Sequence, residues 1–273
     1  MREFENYLIC CDLDATFIGD NLKIPEANLK ALEKFRAKGG RFTLATGRTN
    51  VGMKLYLDEI KPDTPVVCQN GGAIYDSRTE EYIWTYEVPK SSAEVLRYIV
   101  EKYPSVGLEV MTTLDTYCPK HNATTRKHAY DEHFVFTEKD LDDIPEPWLK
   151  VVFADDPEII DKIQAELEES EYKNKFTMSR STPVYYEIFA KGTNKANAIE
   201  ELSKITNTPL DKIIVLGDND NDAEMLSLPC ISFCPSNASE KAERSADIML
   251  KSDNNKGVIP EALEIVSNRN KYN

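Results

Sequence analysis

Four clusters of polar residues each follow a short apolar run or open a helix-patterned segment. Asp12, Asp14 and Thr16 come after Tyr7–Cys11; Thr46, Gly47 and Arg48 close the run Arg41–Ala45. Lys195 stands at a helix start, and Gly217-Asp218-Asn219-Asp220-Asn221-Asp222 follows Ile213–Leu216. In open parallel sheets, ligands bind beyond the carboxyl ends of the strands. Carboxylates placed there by two different strands would form an oxygen cage suited to a hard cation. One aspartate at a strand end is as readily a helix cap, but capping does not explain four clusters at matching ends.

The segments that must position these residues alternate between strand and helix signals. After the run Tyr7–Cys11, Pro25 opens a helix with Leu29, Leu32 and Phe35 at helical spacing, and Gly39-Gly40 closes it. Arg41–Ala45 reads as a second strand, Val51–Ile60 as a helix, Val66–Cys68 as a third strand of the same sheet, and Asn70-Gly71-Gly72 as a turn. This rhythm predicts an α/β fold, a parallel sheet flanked by helices. It breaks after Val88. Helices over Ser92–Tyr103 and Pro157–Glu171 then alternate with strand-like stretches at Leu108–Tyr117, Lys150–Phe153, Lys175–Ser179 and Val184–Phe189. The βα rhythm returns after Lys191 with helix Lys195–Ile205, strand Ile213–Leu216, helix Asp222–Leu226, strand Ile231–Cys234 and a final helix near Ile259–Val266. The expected organisation is a core of residues 1–85 and 190–273, interrupted by an α+β cap over 86–189.

With 33 basic and 47 acidic residues, a net charge of −14, the chain would repel nucleic acid and anionic membrane surfaces. An anionic substrate then needs local positive charge, from a cation or a few basic side chains. Cys10, Cys11, Cys68, Cys118, Cys230 and Cys234 form no CxxC pair and read as buried free thiols. That usage, with no signal-peptide layout at the N-terminus, predicts a cytoplasmic protein. Nothing implies an obligate protein partner.

Competing motifs fail on spacing. An EF-hand loop starting at Asp218 would need Gly and Glu where Ala223 and Pro229 stand. His121, His128 and His133 fit no recognised zinc pattern, and neither a Walker loop nor GxGxxG occurs.

Asp12-Leu13-Asp14-Ala15-Thr16 resembles the DxDx[TV] signature of the haloacid dehalogenase superfamily. Thr46 resembles its second motif, Lys195 its third, and Gly217-Asp218 through Asn221-Asp222 its GDxxND fourth. Their order, the Asn70-Gly71 turn and the intervening cap resemble the Cof-type phosphatases. The resemblance implies a Rossmann-like core and Mg2+-dependent hydrolysis of a small phosphorylated metabolite through an aspartyl-phosphate, with sugar phosphates the usual class and flavin or pyridoxal phosphates as competitors. It implies Asp12 as nucleophile, Asp14 as general acid and base, and Lys195 as the charge-neutralising lysine. The metal set would be Asp12, Asp14 through its backbone carbonyl, and Asp218, with Asp222 in support. Thr46, Gly47 and Asn221 would hold phosphoryl oxygens; Arg48, Asn70 and Gly71 would lie on the substrate side, and Asn237 is a further candidate there. Tyr117 and Arg180 are candidates for leaving-group recognition in the cap. Ala15 replaces the usual glycine, a cost of about 1 kcal/mol if φ is positive there. Two other readings keep the fold: a phosphomannomutase-like phosphotransferase, and a catalytically silent sugar-phosphate sensor.

Overall fold

The computed structural model describes residues 2–272. In chain order its strands and helices are β1 (Leu8–Cys11), α1 (Glu26–Ala37), β2 (Arg41–Leu44), α2 (Lys54–Ile60), β3 (Val66–Cys68), β4 (Ala73–Asp76), β5 (Glu81–Thr85), α3 (Ala93–Lys102), β6 (Gly107–Thr112), β7 (Thr116–Lys120), α4 (Ala123–Asp131), β8 (Phe136–Thr137), β9 (Trp148–Ala154), α5 (Pro157–Glu169), β10 (Phe176–Thr182), β11 (Tyr185–Ala190), α6 (Lys195–Thr206), β12 (Ile213–Leu216), α7 (Ala223–Leu226), β13 (Ile231–Cys234), α8 (Glu240–Ser245), β14 (Ile248–Met249) and α9 (Ile259–Tyr272). They form two compact units. One comprises the residues up to Arg48, Lys54–Ile83 and those from Asn194 on; the other comprises Thr49–Met53 and Trp84–Thr193.

The first unit is built on a five-stranded sheet in the order β14-β13-β12-β1-β2, parallel throughout. β1 and β12 are side by side, with Leu8 opposite Ile213 and Cys11 opposite Leu216. Every residue of both strands is buried, the mark of a sheet covered on both faces, and it is why their sequences run apolar without alternation. Cys10 and Cys11 are therefore both buried, and all six cysteines are free thiols. The turn after β1 and the turn after β12 thus leave neighbouring strand ends.

Val66–Cys68 corrects one expectation. It belongs to a separate three-stranded sheet, β3-β4-β5, and meets the parallel sheet beside β2 through a parallel bridge between Ala45 and Val67. The cause is local. Gln69, Asn70 and Gly71 all have positive φ (51°, 55° and 91°), which reverses the chain and lays β4 antiparallel on β3. The helix expected from Val51 also begins later, at Lys54.

The second unit is a six-stranded sheet, β10-β11-β9-β6-β7-β8, antiparallel except where β7 meets β8. Val110, Val151 and Ile188 share one row across it and join a core with Leu96 and Ile99 of α3 and Ile160 and Ile163 of α5. The neighbouring row, on the opposite face, is Glu109, Val152 and Glu187. There Glu187 pairs with Lys150 at 3.0 Å, and Glu109 pairs with His128 of α4 at 2.7 Å. Among the described residues no helix is long and apolar enough to cross a membrane.

Candidate active site

Asp12 follows β1, and its amide donates to the carbonyl of Leu216, the last residue of β12, at 2.8 Å. That bond continues the sheet by one residue and holds Asp12 at the carboxyl end of an interior strand. Lys195 comes to it as the first residue of α6, whose N-cap is Asn194. A cation at a helix N-terminus opposes the helix dipole, so local helix energetics do not select a lysine there. Its partners do: Nζ lies 2.5 Å from Asp12 Oδ1 and 2.6 Å from Asp222 Oδ1. Lys195 is only 1% exposed.

Asp222 uses both its oxygens within the protein. Besides Lys195 on Oδ1, its Oδ2 accepts the amides of Asp218 at 2.9 Å and Asn219 at 3.0 Å. It braces the turn after β12 and the lysine together. Asp218 Oδ1 accepts the Thr16 hydroxyl at 2.5 Å, tying that turn to the one after β1. Donor oxygens of Asp12, Asp218 and Asp222 lie within 4.8 Å of one another, the one such group of acidic, His or Cys side chains among the described residues.

Burial pushes the Asp12 carboxyl well above its usual range, opposed by the Lys195 ammonium and reinforced by Asp222 and Asp218. Burial also pushes Asp218 up, to about 6, against the Thr16 hydrogen bond and with the Asp222 charge adding to the rise. On Lys195 burial acts downward, but Asp12 and Asp222 outweigh it and hold the ammonium above the ordinary lysine range. Three carboxylates thus face one ammonium. This oxygen-rich, electron-excess donor set fits a hard divalent cation.

Asp14 stands apart from that cluster, gripped by Arg48: Nε meets Oδ2 and Nη2 meets Oδ1, each at 2.8 Å. Thr46 is fully buried, accepts the Arg48 amide on its hydroxyl at 3.1 Å and the Asn70 amide on its carbonyl at 3.0 Å. Asn221 Nδ2 donates to Asn70 Oδ1 at 2.9 Å. Small residues are needed here. A Cβ on Gly47 would sit 2.9 Å from Asn70 Oδ1, and one on Gly71, at φ 91°, would sit 2.1 Å from the Asn194 carbonyl oxygen. The second and fourth clusters are therefore joined through the Asn70-Gly71 turn.

A sequence profile of the haloacid dehalogenase-like hydrolases matches residues 9–261. The chain belongs to this family. YxeH of Bacillus subtilis is 26% identical over 266 residues, covering 95% of this chain and 98% of that protein. The 5-amino-6-(5-phospho-D-ribitylamino)uracil phosphatase YitU, also of Bacillus subtilis, is 24% identical over 268 residues, covering 94% and 96%. Among solved structures, the subclass IIB sugar phosphatase BT4131 superposes with a TM-score of 0.79 at 20% identity, covering 96% of this chain and 99% of that one.

In this hydrolase the two cap candidates have structural partners. Tyr117 packs in the core of the second unit. Arg180 joins its hairpin to α5 through Asp161 and Gln164. Two of the three histidines are separately employed: His121 contacts Arg126 and Glu138, and His128 contacts Glu109 and lies 4.6 Å from the Tyr185 ring. The support expected of Asp222 is exerted through the backbone amides of Asp218 and Asn219, a detail no motif displays. Asn237, a candidate for the substrate side, donates to the Ala15 carbonyl at 2.8 Å.

Proposed function

We propose that this hydrolase is a divalent-cation-dependent phosphomonoesterase, acting on a small polyhydroxylated metabolite through a phosphoryl group carried on Asp12. The observation carrying this reading is the buried Asp12 carboxylate, held by Lys195 at 2.5 Å within a group of three aspartates. Asp12 and Asp218, with the Asp14 carbonyl, would hold the cation, and Asp222 would brace them. When bound, Mg2+ supplies positive charge against the carboxylates and the transferring phosphoryl group.

The chain's own residues divide the remaining work. Lys195 engages Oδ1 of Asp12 and leaves Oδ2 to attack phosphorus. As the new P–O bond forms and the ester bond breaks, Asp14, freed from Arg48 and carrying a proton taken from solvent, gives that proton to the departing oxygen. It then takes a proton from water, whose oxygen attacks the phosphoryl-Asp12 and frees phosphate. Lys195, Thr46, Asn221 and the Gly47 amide would stabilise charge on the phosphoryl oxygens. Arg48, Asn70 and Gly71 would contact the substrate side, and residues 86–189 would act as the specificity cap. YitU and BT4131 are named for substrates that share one chemistry, a phosphate on a polyhydroxylated carbon chain. That class is the expected one here.

Phosphate release from a panel of sugar and polyol phosphates, with Mg2+ and with chelator, tests the reading. Turnover confined to the Mg2+ arm supports it. Full activity after exhaustive chelation, or none on any phosphomonoester, contradicts it.

A further inference from the structure

We propose that Asn237, which lies outside the four motif clusters, is a positioning residue that holds the turn carrying Asp12 and Asp14. The inference rests on the phosphatase reading for its effect on rate. Ala15 sits at φ 54°, ψ 6°. A left-handed conformation is unfavourable for any residue with a Cβ, so this peptide has to be held from outside. Asn237 Nδ2 donates to the Ala15 carbonyl at 2.8 Å, while its Oδ1 accepts the Asn254 amide at 3.0 Å. Both ends of the side-chain amide are used, and rotating it forfeits both bonds.

The same strip of chain is held twice more downstream. Asn254 is buried, and its Nδ2 donates to the Ile18 carbonyl at 3.2 Å and to Asp20 Oδ1 at 2.9 Å. Asn255 donates to Asp20 Oδ2 at 3.0 Å and accepts the Asp20 amide at 3.0 Å. Asparagines on the loops after β13 and β14 therefore pin residues 15–20. Of the three, only Asn237 touches the residue next to Asp14. It is exposed, so its contribution is a directed hydrogen bond and not core packing. Fixing the Ala15 carbonyl fixes the Ala15–Thr16 peptide. The left-handed φ of Ala15 then sets the preceding peptide, which begins at Asp14.

The test compares wild type, Asn237→Ala, Ala15→Gly and the double variant, full-length and with Mg2+. The readouts are kcat and KM for phosphate release and backbone hydrogen exchange over residues 13–18. Asn237→Ala should lower kcat about tenfold, with KM changed by less than about twofold. It should also speed exchange over the turn and barely move Tm. Adding Ala15→Gly should restore most of the lost kcat, since glycine keeps the left-handed turn without an external hold. Wild-type kcat and exchange in Asn237→Ala would overturn the proposal, and so would a kcat loss that Ala15→Gly leaves in place. Wild-type protein inert on every ester would sink the phosphatase reading alone; the exchange data would still decide whether Asn237 holds the turn.

Discussion

The Arg48 guanidinium grips Asp14 by both carboxylate oxygens at 2.8 Å and lies 5.4 Å from the centroid of the Tyr56 ring. In this pose the guanidinium takes one lone-pair site on each Asp14 oxygen. An arriving phosphate is the natural competitor for the fork, so substrate entry would release the acid when it is needed. Arg48→Ala should lower kcat/KM about 10- to 100-fold on alkyl and activated aryl phosphates alike, because both lose the fork's contact with the phosphate. Arg48→Lys should recover little, because a point charge cannot make the paired contact. A loss confined to alkyl phosphates would contradict a contact made to the phosphate itself.

The aspartate cluster predicts an unusual pH dependence of stability. The Asp218 carboxyl is raised to about 6 in the folded state by burial. Between its unfolded pKa of about 3.9 and the folded value, the native state holds a proton that the unfolded chain has lost. Its contribution is therefore fully present below about pH 4 and disappears as pH rises through about 6, on the order of 3 kcal/mol. Urea unfolding in chelator should show this fall in wild type and a flatter profile in Asp218→Asn. Parallel profiles would refute the assignment.

Lys195 offsets two buried carboxylates at once. Removing one partner from a buried ionic group leaves uncompensated charge, a loss of about 3–5 kcal/mol. Lys195→Met should destabilise the metal-free protein by that order and abolish turnover. Unchanged urea stability would mean that Asp12 and Asp222 do not depend on the lysine.

The fold and the cluster were legible in the sequence for different reasons. Leu8–Cys11 and Ile213–Leu216 are uninterrupted apolar runs, and each ends in aspartates, so pattern and position both marked strand ends. Asp12, Lys195 and Asp218 could be placed because each sits at the boundary between an apolar run or helix and a turn. Val66–Cys68 was harder, since its apolar run does not reveal the left-handed residues at 69–71 that turn it into a separate sheet. Asn237 and Asn254 were harder still. Their partners are carbonyls and amides more than 200 residues away or in another loop, and no side-chain spacing encodes those.

Ala15 gives a direct energetic check on that turn. The replacement of glycine was expected to be costly only at positive φ, and φ is 54°. Ala15→Gly should therefore raise stability by about 1 kcal/mol, the left-handed penalty outweighing glycine's extra chain entropy. Denaturant midpoints at constant m-value measure it, and a lower midpoint in the variant would show that the alanine carries no strain.

The mechanism turns on Asp12 Oδ2 as the atom that receives the phosphoryl group. The most direct measurement is acid quench of the enzyme during turnover of an activated aryl phosphate in Mg2+, followed by peptide mass mapping. Wild type should carry a phosphoryl group on the peptide containing Asp12. Asp14→Asn should accumulate it, because leaving-group departure no longer needs a proton while water activation does; on alkyl esters its turnover should fall about 10²–10⁴-fold. Asp12→Asn should carry none and turn over nothing. A phosphoryl group found on Asp12→Asn, or on another residue of the wild type, would contradict the mechanism.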